Sequence, residues 1–406
     1  MAFGAVSMVK HQVVFTQKMN DNMSNGESKE LTFYLHAGPP KTGTTTLQCS
    51  LPLFSSQLKQ DGFVFIGKVT DCPNRGFDRN FYVNPRSVAN CINSYASDNC
   101  DLSCLLRIAD ESGKKCQHLK RMKGLLDQAK EQNLSVIYSS EGMFDGFEFR
   151  PQFQELIGTN YHVKVVVVYR RYYQWMLSRY NSLSKYQNGR PGRSILNKWL
   201  DEGGQTIATL QQVLHHSYNE TDRRIDLKGD TWDFVDEYGQ HYQDVIVHSM
   251  YAPKGLLHTF VCDFLEAKKT CKVVYTVEST VHNPAVPLYP DRLAVAAYER
   301  GLLKNKSLTR DDVRQKILRN ENKFGFRKTM EYPLTCISSE EMEQIWHTSV
   351  EKEKRMFPDM ARPEWTEHMN DMKTDFDKYV SKGSFCNVNV GQVLLSKKWI
   401  DFFKNM

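Results

Sequence analysis

The 406-residue chain lacks any apolar run long enough to cross a membrane. Its longest apolar stretch, at 163–169, is broken by Lys164 and falls far short of the roughly 20 residues a spanning helix needs. It lacks blocks of like charge, so neither an acidic tail nor a basic nucleic-acid arm is indicated. It lacks a Cys-x-x-Cys pair, and no His pair lies near its cysteines. Cys100 and Cys104 have a ligand-like gap, but nothing completes a zinc site around them. No internal repeat is evident, which sets aside solenoids and propellers.

What is present is ordinary for a folded protein. With 40% hydrophobic and 25% charged residues, wholesale disorder is excluded. The length suits one large α/β domain with elaborations, or two domains. The 53 Lys+Arg against 47 Asp+Glu give a net charge of +6, which suits anionic ligands without demanding nucleic acid. The ten cysteines fit several disulfides in an oxidising lumen, or free thiols in the cytosol. Cys262 and Cys271 bracket a short segment that a disulfide would close. Sequons at Asn22, Asn133, Asn219 and Asn305 arise about this often by chance and carry little weight.

Along the chain, 1–30 reads as a flexible leader, polar and without periodicity over its second half. Strands are predicted at 31–36, 63–66, 135–139, 163–169 and 244–248. The fourth is continuously apolar and β-branched, as a central buried parallel strand should be. Helical pattern separates the strands. One amphipathic helix is expected over 116–132, with Leu119, Met122, Leu125, Leu126 and Ala129 on one face. Residues 70–115 read as a loop-rich, Cys-rich insertion, and 286–406 as a largely helical C-terminal elaboration. The expected fold is therefore α/β: a P-loop-like, doubly wound parallel sheet flanked by helices, with its core over 31–285. The aromatic cluster Tyr172, Tyr173 and Trp175 has the spacing of core residues on a helix.

A Gly- and Pro-containing loop, GPPKTGTT at 38–45, sits between a strand and a helix. Backbone N–H groups of such a loop make a site for phosphate-like anions. The spacing of Gly38 and Gly43 matches that of nucleotide triphosphatases. The position after Gly43, where those enzymes place lysine, is Thr44, and the lysine stands inside the loop as Lys41. The segment Pro40-Lys41-Thr42-Gly43-Thr44-Thr45 resembles the phosphosulfate-binding loop of sulfotransferases that use 3′-phosphoadenosine 5′-phosphosulfate (PAPS), usually written PKSGTT. The one change is Thr42 for Ser. The resemblance implies that Lys41 holds the bridging and sulfuryl oxygens, that Thr44 and Thr45 bond the 5′-phosphate, and that Thr42, Gly43 and Thr46 belong to the same cofactor-binding stretch. Cytosolic members commonly carry Trp at the position of Thr46 to stack on adenine. This chain therefore leans toward the Golgi-type and microbial branches.

The family's second signature is an Arg at a strand end and a Ser eight residues on, both contacting the 3′-phosphate. Arg170 follows the apolar strand and Ser178 lies eight residues later; Arg171 is the rival in register. Arginine suits the role because its planar fork clamps a phosphate through paired charged hydrogen bonds. For the base that takes the acceptor's proton, position along the preceding strand points to Glu141, with His36 a lesser candidate. A carboxylate needs burial to act as a base near neutral pH. The C-terminal grip that cytosolic members place on the 3′-phosphate is not carried over to 326–329, which lacks its glycine.

The resemblance covers 31–267 and implies in-line transfer of a sulfuryl group from PAPS to a hydroxyl acceptor, a carbohydrate or a small molecule. The product would be 3′-phosphoadenosine 5′-phosphate, with no metal and no nucleic acid involved. Golgi lumen and cytoplasm both stay open. The rival readings are a P-loop kinase-like nucleotide-dependent transferase and a non-catalytic sulfotransferase-like nucleotide-binding module.

Overall fold

The computed structural model describes residues 6–9, 12–16, 30–39, 42–67, 83–95, 100–112, 115–141, 147–186, 210–211, 214, 230–251, 254–274, 289–305, 307–324 and 333–406. At 6–9, 12–16, 140, 141, 147, 181–186 and 321–324 the description is of the backbone alone. The chain divides into two compact units, one of 1–170 with 229–284 and the other of 171–228 with 285–406.

The first unit is α/β. Its sheet contains β1 (Val6–Val9), β2 (Gln12–Thr16), β3 (Leu31–Gly38), β4 (Phe63–Gly67), β5 (Ser135–Glu141), β6 (Tyr161–Tyr169) and β7 (Asp244–Ser249). The spatial order is β1-β2-β7-β6-β3-β5-β4. The five strands from β7 to β4 run parallel, flanked by helices, which is compatible with a P-loop-like fold. Val165, Val166, Val167 and Val168 of β6 are buried without a break, because helices cover a parallel sheet on both faces. On one side, Leu47, Leu51, Phe54 and Leu58 pack against Phe65, Ile137, Val166 and Phe260.

Two expectations need correction. The reading of 1–30 as a flexible leader fails at β1 and β2, which pair with each other and then antiparallel to β7. Their Val-rich sequence favours strand, and the polar stretch that follows them obscured it. Nor is 70–115 loop-rich throughout. Helices Pro85–Tyr95 and Leu102–Ser112 bury Val88, Ala89, Cys91 and Ile92, and Leu102, Leu105 and Ala109. Those spacings form helical stripes interrupted by Asn and Ser. The helix expected over 116–132 is present as Gln117–Glu131, with Leu119, Met122, Leu126 and Ala129 buried.

The second unit is mostly helical. Helices Tyr172–Tyr186, Tyr289–Glu299, Arg310–Phe324, Ser339–Met356, Arg362–Ser381 and Lys397–Lys404 accompany a short antiparallel pair, β8 (Leu334–Cys336) with β9 (Cys386–Val388). The segment 171–228, expected with the α/β core, belongs to this unit. Tyr173 and Trp175 are buried here against Phe376 and Phe385, so these aromatics are core. Ser338 and Glu341 form a reciprocal capping box at the start of Ser339–Met356.

Cysteines are paired in both units. Cys91–Cys116 ties helix Pro85–Tyr95 to the start of Gln117–Glu131, and Cys336–Cys386 bridges β8 and β9. Cys100–Cys104 is a disulfide, which removes both thiolates from any zinc site. Cys262–Cys271 closes the loop the sequence indicated. Among the described residues no helix is long and apolar enough to cross a membrane.

Candidate functional site

The parallel strands bring their carboxyl ends to one edge of the sheet. From β3 the chain passes outward to β4 and back to β5, whereas β6 lies on the opposite side of β3. The strand order therefore reverses between β3 and β6. In open α/β sheets ligands bind in the crevice beyond such a switch point. Two sequence-predicted features converge there within the first unit. The loop at 39–43 follows β3, and Arg170 follows β6. Register adds a third, since Gly38 lies beside Glu141 at the end of β5.

The loop is shaped by its glycines. Gly43 takes the left-handed conformation, φ 90°, where a side chain is strained. A Cβ there would also stand 2.6 Å from Leu256 Cδ2. Its carbonyl accepts from the N–H groups of Thr46 and Leu47 and so opens helix Thr44–Ser50. Gly38 is needed for another reason. A Cβ at this position would lie 2.8 Å from Thr44 Oγ1, 3.2 Å from Thr42 Oγ1 and 3.6 Å from His36 Nε2. Three polar atoms thus form a cradle about its Cα.

Each polar atom of the cradle has a distinct state. Thr42 is buried and its hydroxyl donates to the Pro39 carbonyl at 2.7 Å, bracing the loop internally. Thr44 is buried and its hydroxyl has no hydrogen-bond partner among the described residues. A buried unpaired hydroxyl costs roughly 1–3 kcal/mol, so it marks a place where a bound oxygen would be stabilising. His36 is fully buried, and its Nδ1 lies 2.8 Å from Ser139 Oγ. Burial, and next the charge of His248, push its imidazole down to about 3. His36 is thus neutral near pH 7 and a structural member of the loop's support, a poor fit to the role of base. Gln48 locks the helix to β5 by donating to the Ser139 carbonyl at 3.2 Å.

The remaining predicted residues divide. Thr45 and Thr46 are half-buried at the helix start. Lys41 lies outside the described residues, as does the side chain of Glu141. Arg170 is half-buried at the end of β6. Its rival Arg171 faces carboxylates in the second unit, 3.9 Å from Glu353 and 3.7 Å from Asp375. Ser178 is half-buried on helix Tyr172–Tyr186, also in the second unit. Sequence reasoning missed Gln48 and Ser139. Gln48 carried a faint signal, being a polar residue amid the apolar run of its helix.

Among the described residues one cluster has the spacing of metal ligands. His258, Cys262 and Cys271 place ligand-type atoms within 4.8 Å of one another. The two sulfurs are bonded to each other, so no thiolate is left to bind a cation.

No protein-family model matches the chain, and no curated protein matches it either.

Proposed function

We propose that the chain is a PAPS-dependent sulfotransferase acting on a hydroxyl acceptor. The observation that carries this reading is the location of the motif at 40–45. Its described residues, Thr42, Gly43, Thr44 and Thr45, follow β3 and open helix Thr44–Ser50, beside the switch point, with Arg170 at the end of the neighbouring strand. The cradle about Gly38 and the unpartnered Thr44 hydroxyl fit the oxygens of a phosphate-bearing ligand.

In this reading Lys41 stabilises the negative charge that develops on the leaving phosphate. Thr44 and Thr45 bind the 5′-phosphate, and Arg170 binds the 3′-phosphate through its planar fork. The acceptor oxygen forms its bond to sulfur as the sulfur–phosphate oxygen bond breaks in line, and Glu141 takes the acceptor's proton. Sulfation of a carbohydrate is favoured slightly over that of a small alcohol. The compartment we propose is the oxidising Golgi lumen, because four disulfides and a bonded Cys49 are unusual in a reducing cytosol.

Calorimetric titration with 3′-phosphoadenosine 5′-phosphate tests the donor side. The wild type should bind, and Arg170→Ala should weaken binding by about 1.5–3 kcal/mol, the worth of a charged hydrogen bond. Unchanged affinity would remove Arg170 from the site. Tighter binding of ATP with Mg2+ would turn the reading toward a kinase-like transferase. With labelled PAPS and an acceptor panel, Lys41→Ala should reduce transfer more than nucleotide affinity. Undiminished transfer would exclude Lys41 from the mechanism.

A further inference from the structure

The second unit contains a cavity of about 230 Å3 beside the β8–β9 pair. That is smaller than the ~300–1,000 Å3 of drug-sized pockets and roughly the space of seven or eight waters at ~30 Å3 each. Its polar lining comes from Gln211, Arg292, Thr335, Asn387 and Asn389. No carboxylate is among the described lining residues.

The lining is biased toward donors. Asn387 Oδ1 accepts from the Tyr180 hydroxyl at 3.0 Å, which engages one of its lone pairs. Asn389 Oδ1 accepts from the Gln392 N–H at 3.1 Å, with the same result. Both amides keep their NH2 groups as donors, while each oxygen has one of its two lone pairs engaged. Arg292 supplies a half-buried guanidinium. Its acidic neighbour Asp291 is engaged elsewhere, 3.2 Å from Arg310 and 3.1 Å from Arg314. Among the described residues no carboxylate pairs with Arg292. A guanidinium and two amide NH2 groups around one small cavity suit a ligand rich in acceptors and negative in charge.

We propose that this cavity binds a small ligand bearing an oxyanion, with a uronic acid monosaccharide as the match in size and chemistry. The carboxylate would face Arg292, and the sugar's ring and hydroxyl oxygens would accept from the Asn387 and Asn389 amides. The inference does not rest on the donor reading of the first unit, and either can fail alone.

Ligand-observed NMR titration of the full chain with glucuronate tests it, with glucose as the neutral control. Saturable glucuronate binding is expected, with glucose weaker by about tenfold or more. Arg292→Gln should cost glucuronate a similar factor without lowering the melting temperature. Inorganic sulfate that competes with glucuronate would support the site, since the shared group is an oxyanion. Absence of glucuronate binding by the folded wild type would overturn the proposal, as would glucose binding equally well or unchanged affinity in Arg292→Gln. Should that variant melt early, Asn389→Asp is the second arm. Its carboxylate keeps an oxygen for the Gln392 N–H while adding negative charge to the lining. Retained glucuronate affinity in Asn389→Asp would likewise overturn the proposal.

Discussion

Along β6 the first unit buries four consecutive valines, whereas around helix Ser339–Met356 the second unit buries Glu353 between Arg171 and His368. The contrast extends further. The sheet's core is aliphatic and aromatic, although Glu148, Asp230 and His248 are buried in this unit as well as the polar residues of the loop after β3. The helical unit adds a second buried ionic cluster, Asp291 with Arg310 and Arg314, and pins β8 to β9 by a disulfide. Apolar burial tolerates imprecise geometry, since it scales with area. Buried ion pairs do not, because desolvation consumes most of the attraction and a missing partner leaves a bare charge. The two units should therefore fail by different routes.

Three experiments would break or sharpen this contrast. The largest effect is expected for Asp291→Ala, which leaves two mostly buried guanidinia without their shared carboxylate. Denaturant unfolding should show a loss of about 3–5 kcal/mol. A loss below about 1 kcal/mol would mean the cluster is idle and the contrast false. Next comes the double change Cys336→Ser with Cys386→Ser, which frees a loop spanning 50 residues. The expected cost is about 2–4 kcal/mol, read from the same unfolding curves. The smallest effect belongs to the sheet unit and follows pH. His36 has its folded-state value depressed from 6.5 to about 3. The unfolded chain then binds the proton first, so the stability contribution is full above pH 6.5 and lost as pH falls toward 3. By pH 5 the loss should be about 2 kcal/mol, and His36→Gln should flatten that slope. An acid profile identical in the two proteins would show that His36 is not the sensor.

The same contrast explains what could be read in advance. β3, β4, β5, β6 and β7 announce themselves as runs of Val, Ile, Leu and Phe, because a buried parallel strand needs nothing else. The loop at 38–45 was legible because glycine spacing and a strand-to-helix setting are local signals. Arg170 could be preferred to Arg171 by spacing alone, and Arg171 lies 3.9 Å from Glu353 and 3.7 Å from Asp375. Ser139 and Gln48 were not legible. Their role depends on β3 and β5 becoming neighbours, although 103 residues separate His36 from Ser139. The second unit was harder still. Its division from the first at Arg170 falls between a strand and a helix that are contiguous in sequence, with no linker composition to mark it. The donor bias of its cavity depends on which amide oxygens are already engaged, and no sequence pattern encodes that.

The antiparallel pair β1–β2 has a consequence for how the protein behaves in company. An open parallel sheet ends in a row of unsatisfied N–H and C=O groups, which is a template for another copy's backbone. Here the edge of β7 is taken by β2 through residues 12–16, which match 244–248 in register. A version of the chain shortened past residue 16 would present β7, with its Val245, Ile246 and Val247, as a bare and strongly apolar rim. Such a protein could keep every residue of the loop after β3 and still be lost to self-association.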